Sequence, residues 1–128
     1  MLAALLEHDA GARRAIRARG TRVTSALTFA EGARAVLRAR AAGRLTAGDE
    51  RAARRALGTL ERRCAVIAVS DGVLARAGQA FPVEPVRTLD AVHLATIELM
   101  GAGLGSLVVV TRDARIRDNA AALGYRTA

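Results

Sequence analysis

Hydrophobic positions along the chain follow two periods, and the alternation between them predicts the order of helices and strands. Apolar residues recur with the period of an amphipathic helix in six segments, which are 2–20, 26–43, 46–63, 71–80, 88–103 and 112–124. Short runs rich in apolar and β-branched residues predict strands between them, at 22–25, 64–70, 106–111 and 125–128. The two prolines within residues 81–86 predict a loop.

Residues suited to helix ends stand at most of these boundaries. The predicted N-terminal caps are Thr24 or Ser25, Thr46 and Thr88, and the predicted terminators are Gly20, Gly43, Gly101 or Gly103, and Gly124. Because strands alternate with helices, we expect a single α/β domain over residues 1–128, with a parallel sheet covered by helices on both faces. The strand at 64–70 is expected to be buried.

Composition excludes several classes of protein. The chain has one cysteine, Cys64, so it forms no internal disulfide and no metal-thiolate cluster, and a reducing, cytoplasmic setting is expected. We expect the thiol to be an unreactive core group. The longest apolar runs fall far short of the roughly twenty residues that span a bilayer, so no membrane segment is predicted.

Charge is distributed unevenly. All twenty cationic residues are arginine; residues 1–63 hold fourteen of them against six acidic residues, whereas residues 64–128 hold six of each. The basic first half suggests an anionic partner such as RNA, DNA or an acidic protein segment, although a solvated helical surface explains the charge equally well. With one Tyr, two Phe and no Trp, a base-stacking platform is not expected.

Three carboxylates stand where chemistry is plausible. Asp113 follows the strand at 106–111, and ligands of open parallel sheets bind beyond the carboxyl ends of strands, but Asp is also a favoured helix cap. Asp90 shares a helical stripe with apolar residues and therefore points at or near a buried face; the alternative is a first-turn Asp stabilised by the helix dipole. Glu31 lies on a stripe with Arg34 and Arg38, away from an apolar centre predicted at Ala26, Ala33 and Leu37. It is either a plain intrahelical ion pair or a groove-edge carboxylate beside arginines that hold a phosphate backbone.

The motifs "TSALTFAEGARAVLR", "RTLDAVHLATIEL" and "LVVVTRDARIRDNAAALGYR", in this order, resemble the PIN-domain ribonucleases, specifically the VapC-type toxins of toxin-antitoxin pairs. The resemblance covers about residues 2–128 and implies a three-layer fold with a parallel sheet flanked by helices. It also implies Mg²⁺ or Mn²⁺ bound by acidic residues at the carboxyl edge of the sheet.

The resemblance assigns roles to individual positions. Glu31, Asp90 and Asp113 are the implied catalytic and metal-binding residues, Thr111 and Asn119 the supporting ones, and Arg34, Arg38 and Arg112 the candidate RNA contacts. Asp118 and Asn119 are expected either near the metal, as outer contacts, or on the surface. His93 is expected to pack or lie on the surface rather than act as a base.

One part of the family pattern has no counterpart. The family begins with a central strand that ends in a metal-binding Asp, whereas this chain begins "MLAALLEHDAGARRAI", which resembles the helix after that strand. Asp9 lies at the far end of that helix and does not replace the missing Asp. We expect the true start to lie upstream, because the other motifs are intact; a degraded copy is the alternative.

Three functions are compared on these grounds. The first is a metal-dependent endoribonuclease toxin in the cytoplasm, homodimeric and neutralised by a cognate antitoxin. The second is a non-catalytic or inactive PIN-like protein that binds RNA or an antitoxin through its Arg-rich first half. A nucleotide-binding α/β domain is the weakest, because no Gly-rich loop follows a strand in the phosphate-binding pattern.

Overall fold

The computed structural model describes residues 20–103 and 107–128, which alternate between strands and helices as the sequence predicts. The elements are β1 (Val23–Ser25), α1 (Leu27–Ala41), α2 (Ala47–Glu61), β2 (Ala65–Ile67), α3 (Asp71–Ala77), α4 (Thr88–Gly101), β3 (Val108–Val109), α5 (Ala114–Ala122) and β4 (Arg126–Thr127). The helix predicted over 2–20 lies outside the described residues, as do Asp9 and Ser106. No described helix has the length and apolar character needed to cross a membrane.

The described residues fall into two compact units, which divide between Ile67 and Ala68. In the first unit β1 runs parallel to β2, with Val23 opposite Ala65 and Ser25 opposite Ile67. The backbone N–H of Ala26 extends this ladder by donating to the Ile67 carbonyl at 2.8 Å. In the second unit β3 runs parallel to β4. The parallel pairing predicted from the α/β alternation is therefore confirmed in both units.

The expectation that the strand at 64–70 is buried is wrong. Ala65 and Val66 are exposed, and Val66 keeps 39% of its surface accessible. Among the described residues β2 has one strand neighbour, β1, so its apolar content is not covered as in the interior of a larger sheet. Nor does any described residue pair with the second edge of β1 or with the second edge of β3.

Two helices of equal length, α1 and α2, build the core of the first unit by packing against each other. Val36 of α1 is buried against Ala53 and Leu57 of α2, and Leu45 in the connection packs on the same cluster. The apolar centre predicted on α1 is therefore misplaced: Leu37 is 38% exposed. The buried positions are Gly32, Val36 and Ala39, and the Val36 side chain packs against α2.

The residues predicted to cap or end helices do so at some helix ends and not at others. Thr46 caps α2 and Gly43 takes a φ of 70°, a left-handed conformation that suits glycine at the end of α1. Thr88 is wrong as a cap: it is the first residue of α4, and Arg87 occupies the cap position without a side-chain hydrogen bond. The cap position of α1 is Ala26, although the Ser25 hydroxyl accepts from the Leu27 N–H at 3.3 Å.

In the second unit α4 packs against both α3 and α5, which explains why it is apolar around most of its circumference. Leu94 is completely buried, as is Ala120 of α5, and Val73 of α3 is 1% exposed. A side chain at Gly101 would collide with the Tyr125 ring, so glycine at the end of α4 lets the tyrosine before β4 pack closely.

Cys64 precedes β2 and is half-buried. Burial raises the pKa of its thiol, and the positive charge of Arg22 opposes this shift. A thiol with a raised pKa is a weaker nucleophile at neutral pH, in keeping with the unreactive role expected from the sequence.

Replacing Thr46 by Ala is expected to lower the free energy of unfolding by about 1 kcal/mol, the usual value of a helix cap. The Thr46 hydroxyl accepts from the Asp49 N–H at 3.1 Å, and the Thr46 N–H donates to Asp49 Oδ2 at 2.9 Å, so the substitution breaks a reciprocal capping box. Urea unfolding measures the change. Thr21→Ala, at an exposed position before β1, is the control. Equal midpoints for the two variants would contradict the capping role.

Candidate active site

Asp113 is held at the N-terminus of α5 by two backbone hydrogen bonds. Its Oδ1 accepts from the N–H groups of Arg115 at 2.8 Å and Ile116 at 3.3 Å. The capping interpretation of Asp113 is thus confirmed. Both of these capping bonds fall on Oδ1 and neither falls on Oδ2. Capping and ligand binding are therefore compatible, because they use different oxygens of one carboxylate.

The turn before Asp113 is fixed by Thr111. The Thr111 hydroxyl accepts from the Asp113 N–H at 3.1 Å, and the Thr111 N–H donates to the Ala128 carbonyl at 3.4 Å beside β4. Thr111 therefore ties the Thr-Arg-Asp turn to the end of the sheet in the second unit. Arg112, between the two residues, is exposed.

Asp90 lies in the first turn of α4 and is half-buried. Burial raises the pKa of its carboxyl, and the charge of Asp113 raises it further. His93, Arg115 and Arg87 act in the opposite direction. The charge of Asp113 acts on Asp90, so the two carboxylates lie within electrostatic range of each other in the second unit. Positive groups surround this pair without cancelling the effect of burial.

Asn119 of α5 lies in the interior of the second unit. It is completely buried, so the expectation that it lies on the surface is wrong. Its Oδ1 accepts from the Val83 N–H at 2.9 Å, while its Nδ2 donates to the carbonyls of Val83 at 2.8 Å and Arg115 at 3.0 Å. The side-chain amide is thus occupied by backbone groups of the loop before α4 and of its own helix. Asp118 is exposed on α5 and lies 3.6 Å from the Arg117 guanidinium.

Two residues that the sequence reasoning did not single out shape the loop between α3 and α4. The Glu84 carboxylate accepts from the Phe81 N–H at 2.9 Å and the Val86 N–H at 2.6 Å. The Arg76 guanidinium lies 4.1 Å from the centre of the Phe81 ring and donates to the Ala80 carbonyl at 3.3 Å. A glutamate placed between two prolines was the available signal for Glu84, because such a loop needs side-chain acceptors for its free N–H groups.

Arg76 also connects this loop to α4. Its Nε lies 2.7 Å from Oε2 of Glu98. Oε2 is buried and forms no aligned hydrogen bond, so the contact is a close ion pair that holds α3 against α4. No sequence signal marks this pair, since its members lie on different helices.

The remaining predicted residues lie on α1 in the first unit. Glu31 is half-buried, and Arg34 and Arg38 are exposed on the same helix. Their roles as metal ligand and RNA contacts stay predictions, as does the supporting role of Asn119 beside a metal. No group of three or more His, Cys, Asp or Glu side chains that could hold a metal is found among residues 20–103 and 107–128.

Comparison with known proteins decides the family. The PIN domain family matches the chain over residues 1–122. The chain belongs to the PIN domain family. It is also 44% identical over 112 residues to the protein named Ribonuclease VapC46 from Mycobacterium tuberculosis, a match that covers 88% of this chain and 76% of that relative. No solved structure matches the chain significantly.

Membership of the PIN domain family confirms the resemblance to VapC-type proteins and the α/β fold drawn from the sequence motifs. The aspartates of the "LDA" and "TRD" motifs are the pair that the second unit brings together. A magnesium ion is commonly bound through one or two carboxylates, with water and substrate phosphate completing its shell. Two carboxylates within electrostatic range of each other, one of which caps its helix through Oδ1, suit such an ion.

Replacing Asp90 by Asn is expected to raise the free energy of unfolding at neutral pH in metal-free buffer. The pKa of Asp90 is higher in the folded chain than its ordinary value of 3.8, so ionisation disfavours the folded state. This penalty is fully present above the folded pKa and vanishes as the pH falls below the unfolded pKa. The advantage of the variant should therefore shrink as the pH is lowered.

Urea unfolding of both chains from pH 7 to pH 3 measures this difference. Asp118→Asn is the matched control, because it removes the same charge from an exposed position on α5. An Asp90→Asn variant less stable than the parent at pH 7, or an advantage that grows toward low pH, would contradict the electrostatic description.

Proposed function

We propose that the chain is a metal-dependent endoribonuclease, a VapC-like toxin that hydrolyses RNA phosphodiester bonds with a carboxylate-bound Mg²⁺ or Mn²⁺. The observation that carries this proposal is the placement of two carboxylates in the second unit: Asp90 is half-buried in the first turn of α4, and Asp113, which caps α5, lies within electrostatic range of it. A protein that only bound RNA would gain nothing from two like charges at one site, because they repel each other and the phosphate backbone alike. The identity with a protein named as a ribonuclease supports the same assignment.

Asp90 and Asp113 would hold the ion, with Glu31 as the third carboxylate. When bound, such an ion stabilises negative charge on the phosphodiester and makes water a better nucleophile. Oδ2 is the oxygen of Asp113 available for this, since the cap fixes Oδ1. Thr111 orients that carboxylate through its bond to the Asp113 N–H. A carboxylate fixed in advance loses little conformational entropy on binding an ion.

Cationic groups near the pair would receive the phosphate backbone. Arg87 and Arg115 act electrostatically on Asp90, and Arg112 is exposed next to Asp113. Arg34 and Arg38 on α1 are further candidate contacts to RNA, because they are exposed on the helix that carries Glu31. Guanidinium groups suit this role, since they donate two parallel hydrogen bonds to one phosphate.

A cognate antitoxin, a homodimeric state and a cytoplasmic location complete the proposal. Antitoxin control is the usual requirement for a toxin that cleaves cellular RNA. The Arg-rich first half of the chain offers an acidic antitoxin segment a surface of opposite charge.

The second candidate is a non-catalytic protein that binds RNA or an antitoxin through that basic half. The observation in its favour is the exposed face of α2, where Arg51 and Arg55 lie one turn apart. Such a protein would bind RNA without a divalent ion, and its affinity would be insensitive to Asp90 and Asp113.

Cleavage of a mixed RNA pool in Mg²⁺ or Mn²⁺ tests the proposal. We expect cleavage that EDTA abolishes and that Asp90→Asn and Glu31→Gln each reduce by about 100-fold or more, the scale for loss of an electrostatic contact in a catalytic site. Asp113→Asn should be equally inactive yet at least as stable, because Asn caps a helix as well as Asp does and the charge that raises the Asp90 pKa is gone. Unfolding midpoints measured in parallel separate lost ligands from lost structure.

Asp118→Asn serves as the control and should cleave like the parent chain. Metal-independent RNA binding by a parent chain that does not cleave, unchanged in Asp90→Asn, would overturn the nuclease and favour the second candidate. Full cleavage by Asp113→Asn would restrict Asp113 to its capping role.

A further inference from the structure

We propose that Asn119 is a positioning residue, which sets the position of Asp90 relative to Asp113 by clamping the loop that leads into α4. This inference rests on the proposed function, because it concerns the same carboxylate pair. Asn119 does not touch either carboxylate in the described hydrogen bonds; its amide bonds to Val83 and to Arg115. Its effect on the site therefore passes through the loop.

The clamp begins on the helix that carries Asp113. Asp113 caps α5, and Asn119 lies six residues further along the same helix. Its Nδ2 donates to the Arg115 carbonyl at 3.0 Å, which fixes the amide against the helix that Asp113 begins. The amide is completely buried, so water does not compete for its remaining bonds.

The other side of the clamp is Val83. Both backbone polar groups of this residue bond to the Asn119 amide, at 2.9 Å and 2.8 Å. The Val83 side chain is 44% exposed, so hydrophobic burial does little to hold this part of the loop. The two hydrogen bonds to Asn119 are thus its main described attachment to α5.

Hydrogen bonds within the loop connect the position of Val83 to the start of α4. Glu84 bonds to the N–H groups of Phe81 and Val86, and the Phe81 ring is buried, so residues 81–86 form a closed turn. Val86 is followed by Arg87 at the cap position of α4, where no side chain caps the helix. The first turn of α4, which carries Asp90, is therefore located by the loop rather than by a cap of its own.

The test compares Asn119→Leu with Thr96→Val. Leu has the same number and branching of side-chain heavy atoms as Asn, with bulkier methyl groups at the ends, and it removes all three bonds of the clamp. Thr96 is a buried polar residue of α4 whose hydroxyl donates to the Val92 carbonyl at 2.8 Å, so Thr96→Val removes a buried bond in the second unit without touching the loop. Asn119→Ser is a second variant in case Asn119→Leu does not fold, since a Ser hydroxyl can keep the bond to the Arg115 carbonyl while releasing Val83.

Three readouts that need no RNA are measured on each chain: the Mn²⁺ dissociation constant by calorimetry, and the amide resonances and the hydrogen-exchange rates by NMR. We expect the Asn119 variants to bind Mn²⁺ about 10-fold to 100-fold more weakly, the range for residues that orient metal ligands. The Val83 amide should exchange faster and the Asp90 amide resonance should shift. Thr96→Val should leave all three readouts near those of the parent. In RNA cleavage, the Asn119 variants should need more Mn²⁺ for half-maximal rate while KM for RNA changes less than about twofold.

Mn²⁺ affinity within twofold of Thr96→Val, with a parent chain that does bind Mn²⁺, would overturn the positioning role. If the parent chain neither binds Mn²⁺ nor cleaves RNA, the proposed function fails instead. The Asp90 amide then decides the inference alone: a shift in the Asn119 variants but not in Thr96→Val supports the clamp, and an unshifted resonance overturns it.

Discussion

The second unit holds a half-buried carboxyl, that of Asp90, within electrostatic range of a second one, that of Asp113, and the contacts around α4 and α5 have to maintain this arrangement. Asp90 is half-buried, and both its burial and the charge of Asp113 raise its pKa. Left to themselves, two such groups would separate or one would take up a proton. Each carboxylate is held in place by contacts that do not involve the other. Asp90 is carried by α4, which packs against α3 and α5, and Asp113 caps the helix that it begins.

Different contacts hold Asp113 and Asp90 in position. Thr111 and the backbone of α5 fix Asp113, while the loop before α4 locates the turn that carries Asp90. Arg76 anchors the start of that loop to α3 and, through Glu98, to α4. Asn119 anchors its middle to α5. A site that keeps like charges together in a small unit thus depends on polar contacts made several residues away from the charges.

The sequence predicted features that depend on neighbours along the chain. Thr46, Gly43 and Gly124 were recognised because helix ends have local rules, and the motif around Asp113 marked both a cap and a candidate ligand. The errors arose where packing decides. β-branched content predicted burial for β2, but burial depends on how many strands flank it. The stripe assigned to Leu37 failed because the position of α2, not the apolar content of α1, selects the buried face.

The contacts of Asn119 could not be predicted from its sequence neighbours, because they too depend on tertiary packing. Its partner Val83 lies 36 residues earlier in the chain, and no spacing pattern links a loop valine to a helix asparagine. The pairing of Asp90 with Asp113 likewise follows from how α4 and α5 pack, and it became an expectation only through the family resemblance. The resemblance to PIN domains, which the family match confirms, links the motif that contains Asp90 to the motif that contains Asp113.

The most direct test of the shared carboxylate site is the pKa of the Asp90 carboxyl, followed by carbon NMR in the parent chain and in Asp113→Asn without metal. We expect a lower Asp90 pKa in Asp113→Asn, because the neighbouring charge is gone while the capped helix remains in place. We also expect Mg²⁺ to lower the pKa in the parent chain. An Asp90 pKa that neither Asp113→Asn nor Mg²⁺ changes would contradict the claim that the two carboxylates form one metal-binding site.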